Sequence, residues 1–178
     1  IPMVGEYNIN NALAAMEVGK ILHITPVHMK QALANVELTE NRAEWVKGKN
    51  GEQILSDVYN SNPTAAKEVL KTIAETPVAG RRIAVLGDML ELGDAAAKLH
   101  ASLAEEIDHQ KIASVYLVGE QMKNLKAKLI QEGYPAEDIH HYAASDLQQL
   151  IADLTATLTG DDIVLLKASH GIHLEEVL

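Results

Sequence analysis

Short, unbroken apolar runs rich in β-branched residues alternate with helical stretches along most of this 178-residue chain. The runs lie at 83–86, 115–118 and 163–166, with a weaker one at 139–142, and the helical stretches lie at 64–73, 95–107, 121–131 and 146–158. A strand that is apolar at every position is typical of a parallel sheet covered by helices on both faces. Strands that alternate with helices of this length form right-handed βαβ units. The pattern therefore predicts an α/β fold, a Rossmann-like, doubly wound and mostly parallel sheet.

The first part of the chain follows a different pattern. Apolar residues recur at helical spacing over 8–22, and Thr25 with Pro26 begins a second, short helix. Residues 42–46 and 53–58 then have the pattern of two strands, joined by a turn at Asn50-Gly51. We therefore predict a boundary near residue 38, with a helical segment over 1–38 before the α/β domain over 39–178.

Composition excludes several classes of protein. Hydrophobic residues make up 47% of the chain, which indicates a globular protein, and a net charge of −10 disfavours a general nucleic-acid binder. The absence of cysteine excludes disulfides and cysteine-ligated zinc. No apolar run approaches the roughly 20 residues that cross a bilayer, and no signal peptide opens the chain. We expect a soluble, cytoplasmic protein with no membrane partner and, because it starts at Ile1, a piece of a longer chain.

Polar residues follow the strand at 53–58, just before a predicted helix. Asp57, Asn60 and Asn62 would place a carboxylate and two amides beside a helix N-terminus, whose free N–H groups favour polar or anionic ligands. The alternative is structural: Asn62 or Thr64 caps the helix, and Asp57 solvates a strand end.

Two further strands end in polar residues. Asp88 follows the strand at 83–86, where a carboxylate can accept hydrogen bonds from ribose hydroxyls, or can simply belong to a turn. Lys167 and Ser169 follow the strand at 163–166 and could bind a phosphate or carboxylate. Alternatively, Lys167 pairs with Asp88 or Asp57.

Several catalytic motifs are missing from the sequence. The histidines lack metal-ligand spacing, and there is no P-loop, no nucleophile elbow and no Gly-x-Gly-x-x-Gly. We therefore predict that these histidines bind no metal ion.

Several segments in this order resemble the carboxyl-terminal part of the Mur ligases. The most specific are Tyr-Asn-Ser-Asn-Pro at 59–63 and Leu-Gly-Asp-Met-Leu-Glu-Leu-Gly at 86–93. The other matching segments are 5–15, Arg42, Asp57, His100, 167–169 and 175–177. The resemblance implies a three-domain enzyme, of which residues 1–38 are the tail of the central ATPase domain and 39–178 the closing Rossmann-like domain. The missing P-loop would then lie in the preceding, absent part.

The resemblance also implies a reaction. ATP activates the carboxylate of UDP-N-acetylmuramoyl-tripeptide, Mg²⁺ held mostly by the central domain assists, and D-alanyl-D-alanine attacks to form an amide. It assigns Asn62 to adenine and Asp88 to ribose, with Asp57 supporting the same loop, and it assigns Lys167 and Ser169 to the dipeptide pocket. On this resemblance each of them contacts a ligand, and none is a proton-transfer catalyst. The full-length enzyme is expected to be a monomer, and this piece alone to be inactive.

Two positions depart from the family pattern. Tyr7 stands where the family usually has histidine, and Ala168 where it has glycine, which would restrict the approach of a ligand.

Two other functions stay open. Strand-end residues Asp57, Asp88 and Lys167 would also suit a receiver-like signalling module. A receiver, however, needs its phosphoacceptor after the third strand, and the third strand of the main run here ends in Gly119. A non-catalytic interaction domain is the other alternative.

Overall fold

The computed structural model describes residue 5 and residues 7–36 and 42–178. Its centre is a six-stranded sheet in the order β1-β2-β6-β3-β4-β5. The strands are β1 (Glu44–Lys47), β2 (Gln53–Asp57), β3 (Arg82–Gly87), β4 (Ser114–Val118), β5 (Ile139–Tyr142) and β6 (Ile163–Lys167). Of these six strands, only β1 is antiparallel to its neighbour. The predicted doubly wound, mostly parallel sheet is confirmed.

Six α-helices lie in the described residues: α1 (Tyr7–Ile21), α2 (Pro26–Ala34), α3 (Pro63–Glu75), α4 (Ala96–Ala101), α5 (Met122–Gln131) and α6 (Leu147–Thr157). The long helix expected over 95–107 is wrong, because α4 ends at Ala101 and a 3₁₀ segment, Ser102–Glu106, follows. The Ser102 hydroxyl donates to the Leu99 carbonyl, a side-chain bond that competes with regular helical bonding. Beyond β6 the chain also forms 3₁₀ turns, His170–Ile172 and Leu174–Val177.

Alternate residues of each central strand enter two different cores. On one face Leu55, Leu86 and Leu117 pack with buried side chains of α3 and α5. On the other, Val85 and Leu166 pack with those of α6. The strands are apolar at successive positions because helices cover both faces.

The first two helices are less well covered. In α1 and just after it, Leu13, Val18, Ile21 and Leu22 are each more than half exposed. The proposed boundary itself falls on residues 37–41, outside the described part of the chain. No helix among the described residues has the length and apolar character to cross a membrane.

Candidate functional site

Three neighbouring strands bring polar residues to one edge of the sheet. β6 lies between β2 and β3, so Lys167 is paired in register with Asp57 on one side and Leu86 on the other. Asp88 follows β3 at the same edge. In parallel α/β sheets, ligands bind outside the carboxyl ends of the strands, and this edge is therefore where a site is expected.

A cleft of about 260 Å³ opens between this edge and the first turn of α1. It is lined by Tyr7, Asn8, Asn11, Arg42, Ala43, Asp57, Asn60, Asn62, Ala65 and Lys167. Of the site residues predicted from the sequence, the structure thus brings Asp57, Asn62 and Lys167 together. Most of the lining side chains are polar. Three of the lining residues, Tyr7, Asn8 and Asn11, belong to α1, which is far in sequence from the rest of the cleft.

Asn62 caps α3 at the mouth of this cleft. Its side-chain oxygen accepts a hydrogen bond from the backbone N–H of Ala65 at 2.9 Å, and Pro63 occupies the first helical position. The structural alternative for Asn62 is therefore correct as a description of its oxygen. Its amide nitrogen makes no hydrogen bond to the described residues and stays available to a ligand, so capping and ligand binding are compatible.

Lys167 is buried beside the cleft, with 2% of its surface exposed. Its ammonium lies 2.8 Å from the Asp57 carboxylate and donates to the backbone carbonyls of Asp57, at 3.2 Å, and Asn60. Burial lowers the pKa of Lys167, and the Asp57 carboxylate partly offsets that effect. The structure shows the ion pair with Asp57 that the sequence left as an alternative.

The other oxygen of Asp57 faces a strained residue. Its Oδ1 accepts a hydrogen bond from the backbone N–H of Ala43 at 3.3 Å, and Ala43 has φ +49°, in the left-handed region. A non-glycine residue there costs on the order of 1–3 kcal/mol and persists only where its surroundings hold it. The strain therefore lies in the wall of the cleft.

Two residues to which the sequence pattern assigned no binding role, Arg42 and Tyr7, also line the cleft. The Arg42 guanidinium stacks 4.2 Å from the centroid of the exposed Tyr59 ring, which is a cation–π contact. Burial, with the nearby Asp57 carboxylate as a smaller cause, raises the pKa of the Tyr7 hydroxyl, which is therefore a neutral donor at pH 7. The sequence pattern could not show that Tyr7 lines the cleft, because α1 reaches the cleft only through tertiary packing.

Asp88 and Ser169 lie together, apart from this cleft. The Asp88 carboxylate accepts backbone N–H bonds from Gln121 at 3.1 Å and Met122 at 3.0 Å, and so caps α5. Ser169 donates its N–H to the Asp88 carbonyl and accepts the Leu90 N–H at its hydroxyl. Each carboxylate oxygen of Asp88 keeps a lone pair for a ligand.

Buried His100 fixes the loop that follows Asp88. Its Nδ1 lies 2.7 Å from the Ala96 carbonyl, so the proton is assigned there, and its Nε2 accepts the Met89 N–H at 2.9 Å. Ala168 is fully buried too, and its methyl would clash with any Cβ at Gly87, 2.7 Å away. Its side chain therefore packs against the end of β3, and Ala168 is not among the residues that line the cleft.

The described residues hold no group of three His, Asp or Glu side chains that could bind a metal ion. What they form is a parallel α/β domain with a polar cleft and helix N-termini at the carboxyl edge of its sheet. This combination defines the Rossmann-like class of domains.

The family follows from sequence comparison. Residues 41–170 match the family model described as Mur ligase, glutamate ligase domain, and the chain belongs to this family.

Individual relatives match the whole chain. The UDP-N-acetylmuramoyl-tripeptide–D-alanyl-D-alanine ligase of Bacillus subtilis is 31% identical over 178 residues, all of this chain and 38% of that protein. The Escherichia coli protein of the same name is 28% identical over 180 residues, or 37% of its length. The crystal structure of MurF ligase from Thermotoga maritima in complex with ADP matches 98% of this chain and 38% of that one, with a TM-score of 0.77 and 24% identity. This chain thus spans well under half the length of these relatives.

Proposed function

We propose that this chain is the carboxyl-terminal part of an ATP-dependent ligase that joins D-alanyl-D-alanine to UDP-N-acetylmuramoyl-tripeptide. The observation that carries the proposal is similarity along the whole of this chain to ligases of that name, in a chain whose polar cleft sits at the ligand-binding edge of its sheet. Residues 1–38 would be the tail of a preceding ATPase domain, and residues 39–178 the domain that closes over the nucleotide.

On this proposal the cleft receives part of the nucleotide. Asn62 would offer its free amide nitrogen to adenine, Asp57 would support the same loop, and Asp88 would use its remaining lone pairs for ribose hydroxyls. Ser169 would face the dipeptide. The resemblance places Lys167 there as well, although its ammonium already has three protein acceptors.

The chemistry transfers the γ-phosphoryl group of ATP to the tripeptide carboxylate, which gives an acyl phosphate and ADP. The amine of D-alanyl-D-alanine then attacks the acyl carbon, phosphate leaves, and the amine proton is lost. Mg²⁺, when bound, neutralises phosphate charge in such transfers. The carboxylates described here do not fit a magnesium site of their own, since Asp57 is paired with Lys167 and Asp88 with two backbone N–H groups. We therefore place that ion on the preceding domain.

A reconstituted full-length protein tests the proposal. We expect ADP release that requires both the UDP-linked tripeptide and D-alanyl-D-alanine, and none from the 178-residue chain alone. Tripeptide-dependent release that ignores the dipeptide would refute the assignment. Phosphorylation of an aspartate by acetyl phosphate and Mg²⁺ would instead identify a receiver-like module.

The proposed substrates also bear on location and assembly. A UDP-linked precursor and ATP are found together in the cytoplasm, so we place the reaction there. A monomeric full-length enzyme is expected, and light scattering of the full-length protein would check it.

A further inference from the structure

The loop between β2 and α3 is tied to the centre of the sheet by one buried cation. The Lys167 ammonium has three N–H donors and three acceptors: the Asp57 carboxylate, the Asp57 carbonyl and the Asn60 carbonyl. All three acceptors belong to residues 57–60, and Lys167 itself is 2% exposed. The group is therefore saturated by this chain before any ligand arrives.

These bonds set the position of the residues that line the cleft. The Asn60 side chain accepts the Ser61 N–H at 2.8 Å, and two residues on, Asn62 caps α3. A displacement of the backbone at Asp57 or Asn60 would therefore move the amide of Asn62. By contrast, a dipeptide carboxylate could reach the ammonium only by replacing one of its bonds, which would leave a backbone carbonyl or the Asp57 carboxylate without its donor.

We propose that Lys167 is a positioning residue for the nucleotide side of the cleft rather than a contact of the incoming dipeptide. From the central strand β6 it holds Asp57 and Asn60 in place, and through them Asn62. The identity of the ligands rests on the proposed function, whereas the bonds to the loop are a property of this fold.

Amide hydrogen exchange of the 178-residue chain tests the structural half of this inference. Lys167→Met keeps the apolar stem and removes the three donors. We expect the amides of Ser61 and Ala65 to exchange about tenfold faster or more, since bonds from a charged donor are lost, while β4 amides stay unchanged. Lys128→Met is the matched control, because Lys128 pairs with Glu132 at the far end of α5, and it should leave the loop amides unchanged. Unchanged exchange at Ser61 and Ala65 in Lys167→Met overturns the inference.

Removing the cation leaves the Asp57 carboxylate without its partner, and the chain could fail to fold. If β4 amides also lose protection, the double variant Lys167→Met with Asp57→Asn removes both charges and keeps the shapes. The loop amides should still exchange about tenfold faster than in the unmodified chain. Protection equal to that of the unmodified chain would overturn the inference.

Steady-state kinetics of the full-length ligase test the functional half. Lys167→Met should raise the KM for ATP about tenfold and leave the KM for D-alanyl-D-alanine within about twofold. A rise in the dipeptide KM alone would return Lys167 to the dipeptide pocket. If the unmodified full-length protein shows no dipeptide-dependent ATP hydrolysis, the proposed function fails, and the exchange experiment alone decides whether Lys167 positions the loop.

Discussion

Gly119 directly follows β4 with φ +111°, and a Cβ at this position would collide with the Asp88 carboxyl. Gly119→Ala therefore has two separate costs. A side chain in the left-handed region costs about 1–2 kcal/mol. Asp88 must also turn away and lose at least one of its bonds to the N–H groups of Gln121 and Met122, and one bond to a charged acceptor contributes about 1.5–3 kcal/mol. We expect a total loss of about 2.5–5 kcal/mol in the free energy of unfolding.

The chain offers a matched control in Gly133. Its φ is +89°, and a Cβ there meets no atom within 4 Å, so Gly133→Ala has the backbone cost without the collision. Both variants lose the same flexibility in the unfolded state, so that effect cancels between them. Urea unfolding of the two variants, followed by circular dichroism, gives the difference directly. We expect Gly119→Ala to be less stable than Gly133→Ala by at least about 1.5 kcal/mol.

A double-mutant cycle identifies the group that is displaced. Once the methyl group added by Gly119→Ala has pushed the carboxylate off α5, Asp88→Ala should cost little further stability, although alone it should cost about 1–3 kcal/mol. Equal stability of Gly119→Ala and Gly133→Ala, or full additivity with Asp88→Ala, would refute the reasoning that glycine at position 119 makes room for this carboxylate.

Three further predictions concern other parts of the fold. Burial raises the pKa of Asp162, but hydrogen bonds from Arg81 and from backbone N–H groups outweigh burial and hold this pKa at about 2. A carboxyl pKa that is lower in the folded than in the unfolded state stabilises the folded state above the unfolded pKa, so stability should fall from about pH 4 to pH 2. Asp162→Asn should flatten that fall in acid titrations. His100→Phe leaves the buried Met89 N–H without an acceptor and should cost about 1–3 kcal/mol in urea unfolding, whereas His100→Gln, which can restore the acceptor, should lose less. Amides of α1 and α2 should exchange faster than those of β3 in a proven monomer, because much of their apolar surface is uncovered; equally slow exchange would count against a boundary near residue 38.

Local pattern was enough to predict the strands, because burial on both faces leaves a continuous apolar run such as 163–166. It failed over 95–107, where the competing bond from Ser102 to Leu99 is a matter of side-chain geometry rather than of hydrophobic spacing. Choosing the partner of Lys167 required the strand register, since β6 pairs with both β2 and β3 but sets Lys167 level with Asp57 on one side and with Leu86, two residues before Asp88, on the other. The contribution of α1 to the cleft depends on tertiary packing, which no local pattern contains.

The central position of β6 has a consequence for how this chain folds as it is synthesised. Lys167 bonds to a residue 110 positions earlier, and both β2 and β3 complete their pairing only with β6. Until residues 163–167 leave the ribosome, β2 and β3 have nothing between them, and each presents an unpaired strand edge that invites contact with other chains. Such long-range pairing also slows folding, since a long loop must close, with a loss of entropy, before the stabilising contacts form. A nascent chain stalled before β6 should therefore depend on chaperones far more than one stalled after this strand has emerged.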